Sequence, residues 1–279
     1  MIPLQYRIHT GRWLHSKNPQ RFTEKLQIYK LHYHNPLMLR CTDKYEVRYV
    51  ISEKGMQDIL IPLVGIYDSP SAIDFNALPM QFVAKTTDGG GGNQVLVCRN
   101  KKLLSQIEFN SKIKRWMAQP KSKPAGREWA YENDYPRKII IEQLINDETH
   151  LDLIDYKFFC FSGEPYICQV ISNRSSNEQI DFYDMKWNRL VGVIGLNSQA
   201  KNSPTEFDKP INYTKMKEIA QILSSDFPFV RVDLYNVKGK IYFGELTFYP
   251  ASGYGTFIPD SFDYKLGRLF NINYFNKHT

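Results

Sequence analysis

Two stretches of the chain combine residue types that could handle phosphate and metal. The first is Phe82-Val-Ala-Lys85-Thr-Thr-Asp88-Gly89-Gly90-Gly91-Gly92-Asn93, where an apolar run ends in a lysine and then four consecutive glycines. Consecutive glycines let backbone amides approach a phosphate and take positive φ at little steric cost, while the lysine adds a point charge. The pattern is neither Gly-x-x-x-x-Gly-Lys-Ser/Thr nor a Gly-x-Gly-x-x-Gly that opens a helix, because a second strand-like run follows. Taken alone, the loop is equally well a plain hairpin tip.

The second stretch is Phe229-Val-Arg231-Val-Asp233-Leu-Tyr235 followed by Ile241-Tyr-Phe-Gly-Glu245-Leu-Thr247-Phe248. Strand alternation puts Val230, Val232 and Leu234 on one side and Arg231 with Asp233 on the other. A three-residue turn, Val237 to Gly239 with Gly239 left-handed, sets Arg231 opposite Glu245 and gives Asp233, Glu245 and Thr247 a shared face. Hard oxygens in this number suit Mg²⁺, which takes one or two carboxylates plus substrate phosphates and water. An arginine beside them can stabilise a transferring phosphoryl group. A surface Arg231–Glu245 ion pair is the plainer alternative, but it leaves Asp233 and Glu245 repelling each other, which a cation would relieve. A third run, Ile139-Ile-Ile-Glu142-Gln143-Leu-Ile145, is an apolar strand that turns polar at its end and can offer a carbonyl and an amide to a nucleobase. It also reads as an ordinary core strand.

The elements that must position these residues follow from periodicity and turn signals. Thr23 and Glu24 open a helical segment in which Phe22, Leu26, Tyr29, Lys30 and Tyr33 share a face, and Thr42 or Asp43 can cap a second helix carrying Val47, Val50 and Ile51. A buried strand is expected over 59–66, interrupted at Pro62. Strands 81–86 and 94–98 form a hairpin, 103–117 a helix, 138–145 a strand, 156–161 and 166–171 a hairpin about Ser162-Gly163, and 215–223 a helix before the last ribbon. The whole reads as α+β with mainly antiparallel sheets.

Composition sets the frame. The 279 residues are 42% hydrophobic, 14% aromatic and 23% charged, ample for a core and unlike a disordered chain. No apolar run is long enough for a transmembrane segment and none at the start resembles a signal peptide, so a cytoplasmic protein is expected. Cys41, Cys98, Cys160 and Cys168 form no Cys-x-x-Cys pair and read as buried thiols, and the six histidines form no metal-binding cluster, which argues against a zinc enzyme. The net charge of +7 favours an anionic partner. The basic stretch from Lys112 to Lys123 around Trp116 could be taken for a nucleic-acid patch but reads better as a solvated helix end, so no nucleic-acid partner is expected.

The order of parts resembles an ATP-grasp enzyme. More narrowly, Asn18-Pro-Gln-Arg-Phe-Thr-Glu-Lys-Leu-Gln, Asp43-Lys-Tyr-Glu-Val-Arg, Asp155-Tyr-Lys-Phe-Phe-Cys-Phe-Ser-Gly and Phe227-Pro-Phe-Val-Arg-Val-Asp-Leu-Tyr resemble the TupA-like group, named for teichuronopeptide biosynthesis. The resemblance implies an ATP-grasp fold of two α+β subdomains that grip ATP, after a short helical N-terminal region. The segments would be 1–74, 75–146 with the glycine loop, and 147–279 with the magnesium site. It implies ATP-dependent carboxylate–amine ligation with one or two Mg²⁺ ions.

By that likeness Lys44 and Lys85 contact the ATP phosphates and Asp88, Gly89, Gly90, Gly91, Gly92 and Asn93 form the loop that closes over them. Glu142, Gln143 and Ile145 form the adenine hinge, and Glu148 is a weaker match to the ribose position. Asp233 and Glu245 match the magnesium-bridging acids and Arg231 the arginine beside the acyl phosphate. Thr247 stands where an asparagine is usual. Arg127 and Lys157 are the best of several cations, with Arg7, Arg12, Arg21 and Arg174, that could hold an anionic acceptor, and Ser252 and Tyr254 could shape its pocket. The implied substrates are a uronic acid of a cell-surface polysaccharide or its precursor and an amino acid or other amine, with contact to a lipid-linked glycan at the membrane face. A sugar kinase and a non-catalytic module for anionic polymers are the competing readings.

Overall fold

The fold is given by a computed structural model, which describes residues 2–90, 94–121, 127–147, 152–196 and 200–273. The chain divides into two units. The smaller comprises Pro36–Pro124 and Ala130–Asn146, and the larger Met1–Asn35, Ala125–Trp129 and Asp147–Thr279.

In the smaller unit, alternation along strands β2 (Phe82–Thr86) and β4 (Ile139–Gln143) sorts residues onto two faces. Phe82, Ala84, Ile139 and Ile141 pack with Phe109, Ile113 and Trp116 of helix α5 (Gln106–Ala118), whose N-cap Ser105 accepts from the Ile107 amide. Lys85 and Glu142 are thereby left on the opposite face. With β1 (Leu63–Tyr67) and β3 (Val95–Cys98) the sheet runs β1-β4-β2-β3, all antiparallel. The strand expected over 59–66 is shorter: residues 57–59 make a 3₁₀ turn, and β1 starts only after Pro62, with no residue of it fully buried. Helices α3 (Pro36–Thr42) and α4 (Glu46–Glu53) precede it, and Asp43 Oδ1 accepts from the Tyr45 and Glu46 amides, capping α4 as anticipated.

The larger unit is built on an antiparallel sheet ordered β10-β9-β5-β6-β7, with β5 Asp155–Phe161, β6 Glu164–Ser172, β7 Gln179–Asp184, β9 Phe229–Val237 and β10 Lys240–Thr247. A short β8 (Ile194–Gly195) pairs with β11 (Phe257–Ile258). One face of the main sheet is covered by α6 (Tyr213–Ser224), with Cys160 Sγ reaching the Ala220 carbonyl. The other face has two halves. At one end Phe159, Phe161 and Phe229 meet Phe22 of α2 (Phe22–His32) and Phe270 beyond α7 (Asp260–Leu269). At the other end the same strands turn polar, and the last ribbon's charges lie there.

The turn of that ribbon differs from the expected one. Lys240 pairs with Val237, so the loop is the two residues Lys238 and Gly239, both left-handed at φ 51° and 87°, as a tight hairpin requires. A bulge at Gly244 then shifts the register, setting Glu245 against Asp233 and Thr247 against Arg231. Arg231 therefore does not stand opposite Glu245, although the four side chains do share one face.

Helix α7 was not anticipated, because Pro259 precedes it and offers no side-chain cap. It is tied to α2 by Asp263, whose buried carboxylate accepts from the Thr23 amide (3.0 Å) and hydroxyl (2.7 Å), the latter in turn taking a hydrogen bond from Tyr6. Burial pushes the Asp263 carboxyl up to about 6, against the lowering effect of the Thr23 hydrogen bonds. A carboxyl raised on folding contributes stability at low pH that is lost as pH climbs from about 4 to about 6. Asp263→Asn is therefore expected to become more stable relative to wild type as pH rises through that window, by on the order of 3 kcal/mol. Urea melts of both proteins at pH 4 and pH 7 measure the difference, and parallel values would refute it.

Candidate active site

In the smaller unit Lys85 and Arg48 are organised around one carboxylate. Glu142 Oε2 lies 2.6 Å from Lys85 Nζ, and Oε1 lies 3.2 Å from the Arg48 guanidinium, which also donates to the Ile61 carbonyl at 2.9 Å. One buried acid thus serves two cations and leaves a net positive charge on that sheet face. Glu142 is accordingly the ion-pair partner of both Lys85 and Arg48. Gln143, next along, is exposed at the strand end with its amide donating to the Pro62 carbonyl, and Ile145 is half-buried just beyond.

Lys44 is fixed by α4's capping turn. Its amide donates to the Thr87 carbonyl at 2.9 Å and its ammonium bonds the Gly89 carbonyl. The glycine loop is rooted by Asp88, gripped by Arg137 Nε at 2.8 and 2.9 Å, while Arg137 also holds the Trp116 carbonyl at the end of α5. Asp88 is therefore an anchor of the loop. A Cβ at Gly89 would lie 2.6 Å from Thr86 Oγ1 and 3.0 Å from Gln94 Oε1, so a side chain there would disturb the hydrogen bond between those two, whereas Gly90 has open space. Asp88, Gly89, Gly90 and Arg137 line a cavity of about 400 Å³ with Gln94, Gln119 and Lys121. Gly91, Gly92, Asn93 and Glu148 lie outside the described residues.

In the larger unit, register builds a polar rung across the sheet: Glu245 pairs with Asp233, Asp233 with Lys157, and Lys157 with Gln169. Arg231 grips Asp233 with two bonds of 2.7 Å and donates to Thr247 Oγ1 at 3.0 Å, and Thr247 donates to Glu245 at 3.1 Å. Lys157 is ion-paired with Asp233 and lies 3.3 Å from Asp155, whose other oxygen is 3.3 Å from Arg174. Burial alone would raise the Asp233 carboxyl, but Arg231 and Lys157 outweigh it and hold it below the usual range. The repulsion between Asp233 and Glu245 is therefore already offset by two side-chain cations, without a metal.

Whether magnesium suits this set rests on its donors. Asp233 and Glu245 supply two carboxylates and Thr247 a hydroxyl, and Glu245 keeps 59% of its side chain exposed. Among the described residues no three His, Cys, Asp or Glu side chains group as a metal site. Mg²⁺ commonly takes only one or two carboxylates, completing its shell with substrate phosphates and water, so the donors fit. Lys157 on Asp233 marks the same carboxylate as one that already holds a cation.

Arg127 stands elsewhere in this unit, left-handed at φ 53°, with Tyr254 within range of its charge. Burial raises the Tyr254 phenol, and Glu128 adds to that while Arg127 opposes it. Lys30 lies over the Tyr254 ring at 4.3 Å and donates to the Ser252 carbonyl at 2.7 Å, its ammonium brought down to about 8 by burial. Ser252 and Tyr254 thus belong to a turn clamped by α2.

Four residues escaped the sequence reading: Arg48, Arg137, Asp155 and Gln169. Asp155 and Lys157 show the same two-residue alternation as Arg231 and Asp233, which would have put them on one face. Gln169 is a lone amide in an apolar strand, a signal that it faces something polar. Arg48 and Arg137 carry no local signal, since their partners are distant in sequence.

A lysine-bearing sheet with a glycine loop, and a second antiparallel sheet with Arg-x-Asp and Glu-x-Thr on paired strands, define an ATP-grasp protein. The TupA-like ATPgrasp family model matches residues 24–271, and the chain belongs to that family. No curated protein matches it. Solved structures that are similar include D-alanine–D-alanine ligase from Bacillus anthracis with ATP, at 14% identity and TM-score 0.43, covering 74% of this chain and 53% of that one. The same ligase without the ATP complex gives 14% identity and TM-score 0.48, covering 86% and 70%. The ATP-grasp ligase PsnB with a minimal precursor gives 12% identity and TM-score 0.41, covering 77% and 54%. The chain spans about half the length of the first and third of these.

Proposed function

We propose that this chain is an ATP-dependent carboxylate–amine ligase that joins a uronic acid of a cell-surface polysaccharide or its precursor to an amino acid or other amine. The observation that carries the reading is the in-register rung of Glu245, Asp233 and Lys157, with Arg231 bidentate on Asp233, inside a chain of the TupA-like ATP-grasp family. The uronic acid rests on the family likeness and is compatible with the net charge of +7. No helix among the described residues is long and apolar enough to cross a membrane.

Roles follow from chemistry. Lys44 and Lys85 bind the phosphates of ATP, the glycine loop covers them, and the Gln143 carbonyl and Ile145 amide read the adenine edge. Asp233 and Glu245, with Thr247, would hold Mg²⁺, which when bound neutralises phosphate charge. An oxygen of the uronate carboxylate attacks the γ-phosphorus, the bond to the β-phosphate oxygen breaks, and ADP leaves behind an acyl phosphate. Arg231 stabilises the charge gathering on the transferred group. The amine nitrogen then attacks the acyl carbon and expels orthophosphate, the nitrogen's proton passing to solvent. Lys157 keeps Asp233 ionised and aligned, and Arg127 is assigned to the anionic acceptor. The glycine loop excludes water from the acyl phosphate.

Two measurements test this. Mg-ATP at about 100 times its dissociation constant should stabilise the wild type by about 2.7 kcal/mol, and Lys85→Met should lose most of that shift. ADP should form only when a uronic acid and an amine are both supplied, with orthophosphate as the other product. A stable phosphosugar instead would overturn the ligase reading in favour of a kinase, and no thermal response to Mg-ATP would overturn both.

A further inference from the structure

From Met1 to Thr23 the sequence carries Arg7, Arg12, Lys17 and Arg21 and not one Asp or Glu. Helix α1 (Ile2–Thr10) lies within this stretch and buries Ile2 and Tyr6 against its own unit. Beside the exposed Arg7 and His9, its outward side carries two large apolar side chains, Leu4 at 56% and Ile8 at 70% exposure, one turn apart. Trp13, just past the left-handed Gly11, is 59% exposed, with the Arg7 guanidinium 5.7 Å from its ring centre. Arg12 and Arg21 each reach Asp260 at 3.0 Å, so part of the charge is answered locally. Arg7 adds positive charge beside Trp13, and Lys17 follows four residues further along the same acid-free stretch.

We propose that α1 with Trp13 is a docking surface for an anionic lipid bilayer. Leu4, Ile8 and Trp13 match the acyl boundary and headgroup level, and the acid-free stretch supplies attraction to anionic headgroups. A soluble acidic polysaccharide would answer the cations but gives the three apolar side chains nothing to enter. A second copy of the same surface would bring like charges together. The inference does not depend on the proposed ligation.

The full chain should cosediment with vesicles of phosphatidylcholine containing a quarter phosphatidylglycerol, and not with phosphatidylcholine alone. The variant Leu4→Ser/Ile8→Ser/Trp13→Ser should bind the anionic vesicles about tenfold more weakly or worse, with its melting temperature unchanged because all three side chains are exposed. Should that variant melt early, Arg7→Glu/Lys17→Glu supplies the second arm and should lose the preference for anionic vesicles. Failure of the wild type to bind would overturn the proposal. So would equal binding by the serine variant together with capture on soluble polyglucuronate, since charge alone would then explain the contact.

Discussion

Asp233→Ala is expected to lower the unfolding free energy by about 3–5 kcal/mol, because it strands Arg231 and Lys157 inside the sheet without their shared counter-ion. Asp233 is only 2% exposed, and two cations contact it directly. Removing one member of a buried ion pair costs more than the pair contributes, since the remaining charge keeps its desolvation penalty. The double variant Asp233→Ala/Lys157→Met should recover part of the loss, giving a coupling energy that guanidinium melts of the two single variants and the double variant can measure. Additive losses would mean that Lys157 and Asp233 act independently, contrary to their geometry. The same alanine should abolish carboxylate-dependent ADP formation, and Asp233→Asn, which keeps the shape, separates charge from packing.

The second large effect is expected at Gly267→Ala. A Cβ on Gly267 would come within 2.0 Å of the Gln20 carbonyl oxygen and 2.9 Å of the Arg21 carbonyl carbon and the Phe22 nitrogen. All three are backbone atoms at the start of α2, so no side chain can swing aside. Relief requires moving α7 away from α2, and that separates Asp263 from Thr23 and Asp260 from Arg21, bonded at 3.0 and 3.2 Å. The cost should reach about 3 kcal/mol or more, the upper end for overpacking. A thermal melt checks it, and an unaltered melting temperature would show that the two helices do not meet in this way.

The glycine-loop sheet, the strands β5, β6, β9 and β10 and the helices α2, α4, α5 and α6 were legible in the sequence because their signals are local, whereas β7, β8, β11 and α7 were not. Alternation through Phe82 to Thr86 and Phe229 to Tyr235 identified both ribbons, and Ser162-Gly163 marked a tight turn that forms with φ of 48° and 84°. What local pattern could not deliver was register. The two-residue turn and the bulge at Gly244 each move the pairing by one residue, so the partner of Glu245 was misplaced by two even though its face was right. Charge balance failed for a related reason. Lys157 comes to Asp233 from a strand 76 residues earlier in the chain, and the last hairpin alone cannot reveal it. Glu142 was legible as the end of an apolar strand, but its bond to Arg48 spans 94 residues and leaves no trace in either neighbourhood.

The turn after β10 has a bearing on how this protein would answer selection for heat resistance. Ala251, Ser252 and Gly253 adopt left-handed φ of 48°, 54° and 65° in succession, a conformation that costs an L-residue with a side chain roughly 1–2 kcal/mol. Glycine at 251 would remove that cost but add about 0.4–1 kcal/mol of chain entropy in the unfolded state, so the net gain is under about 1.5 kcal/mol. At 252 the same exchange would also forfeit the hydroxyl that bonds Glu128. Improvement by consensus or library methods is thus open at the first position and nearly closed at the second, where the Ser252 hydroxyl keeps the Glu128 carboxyl in place.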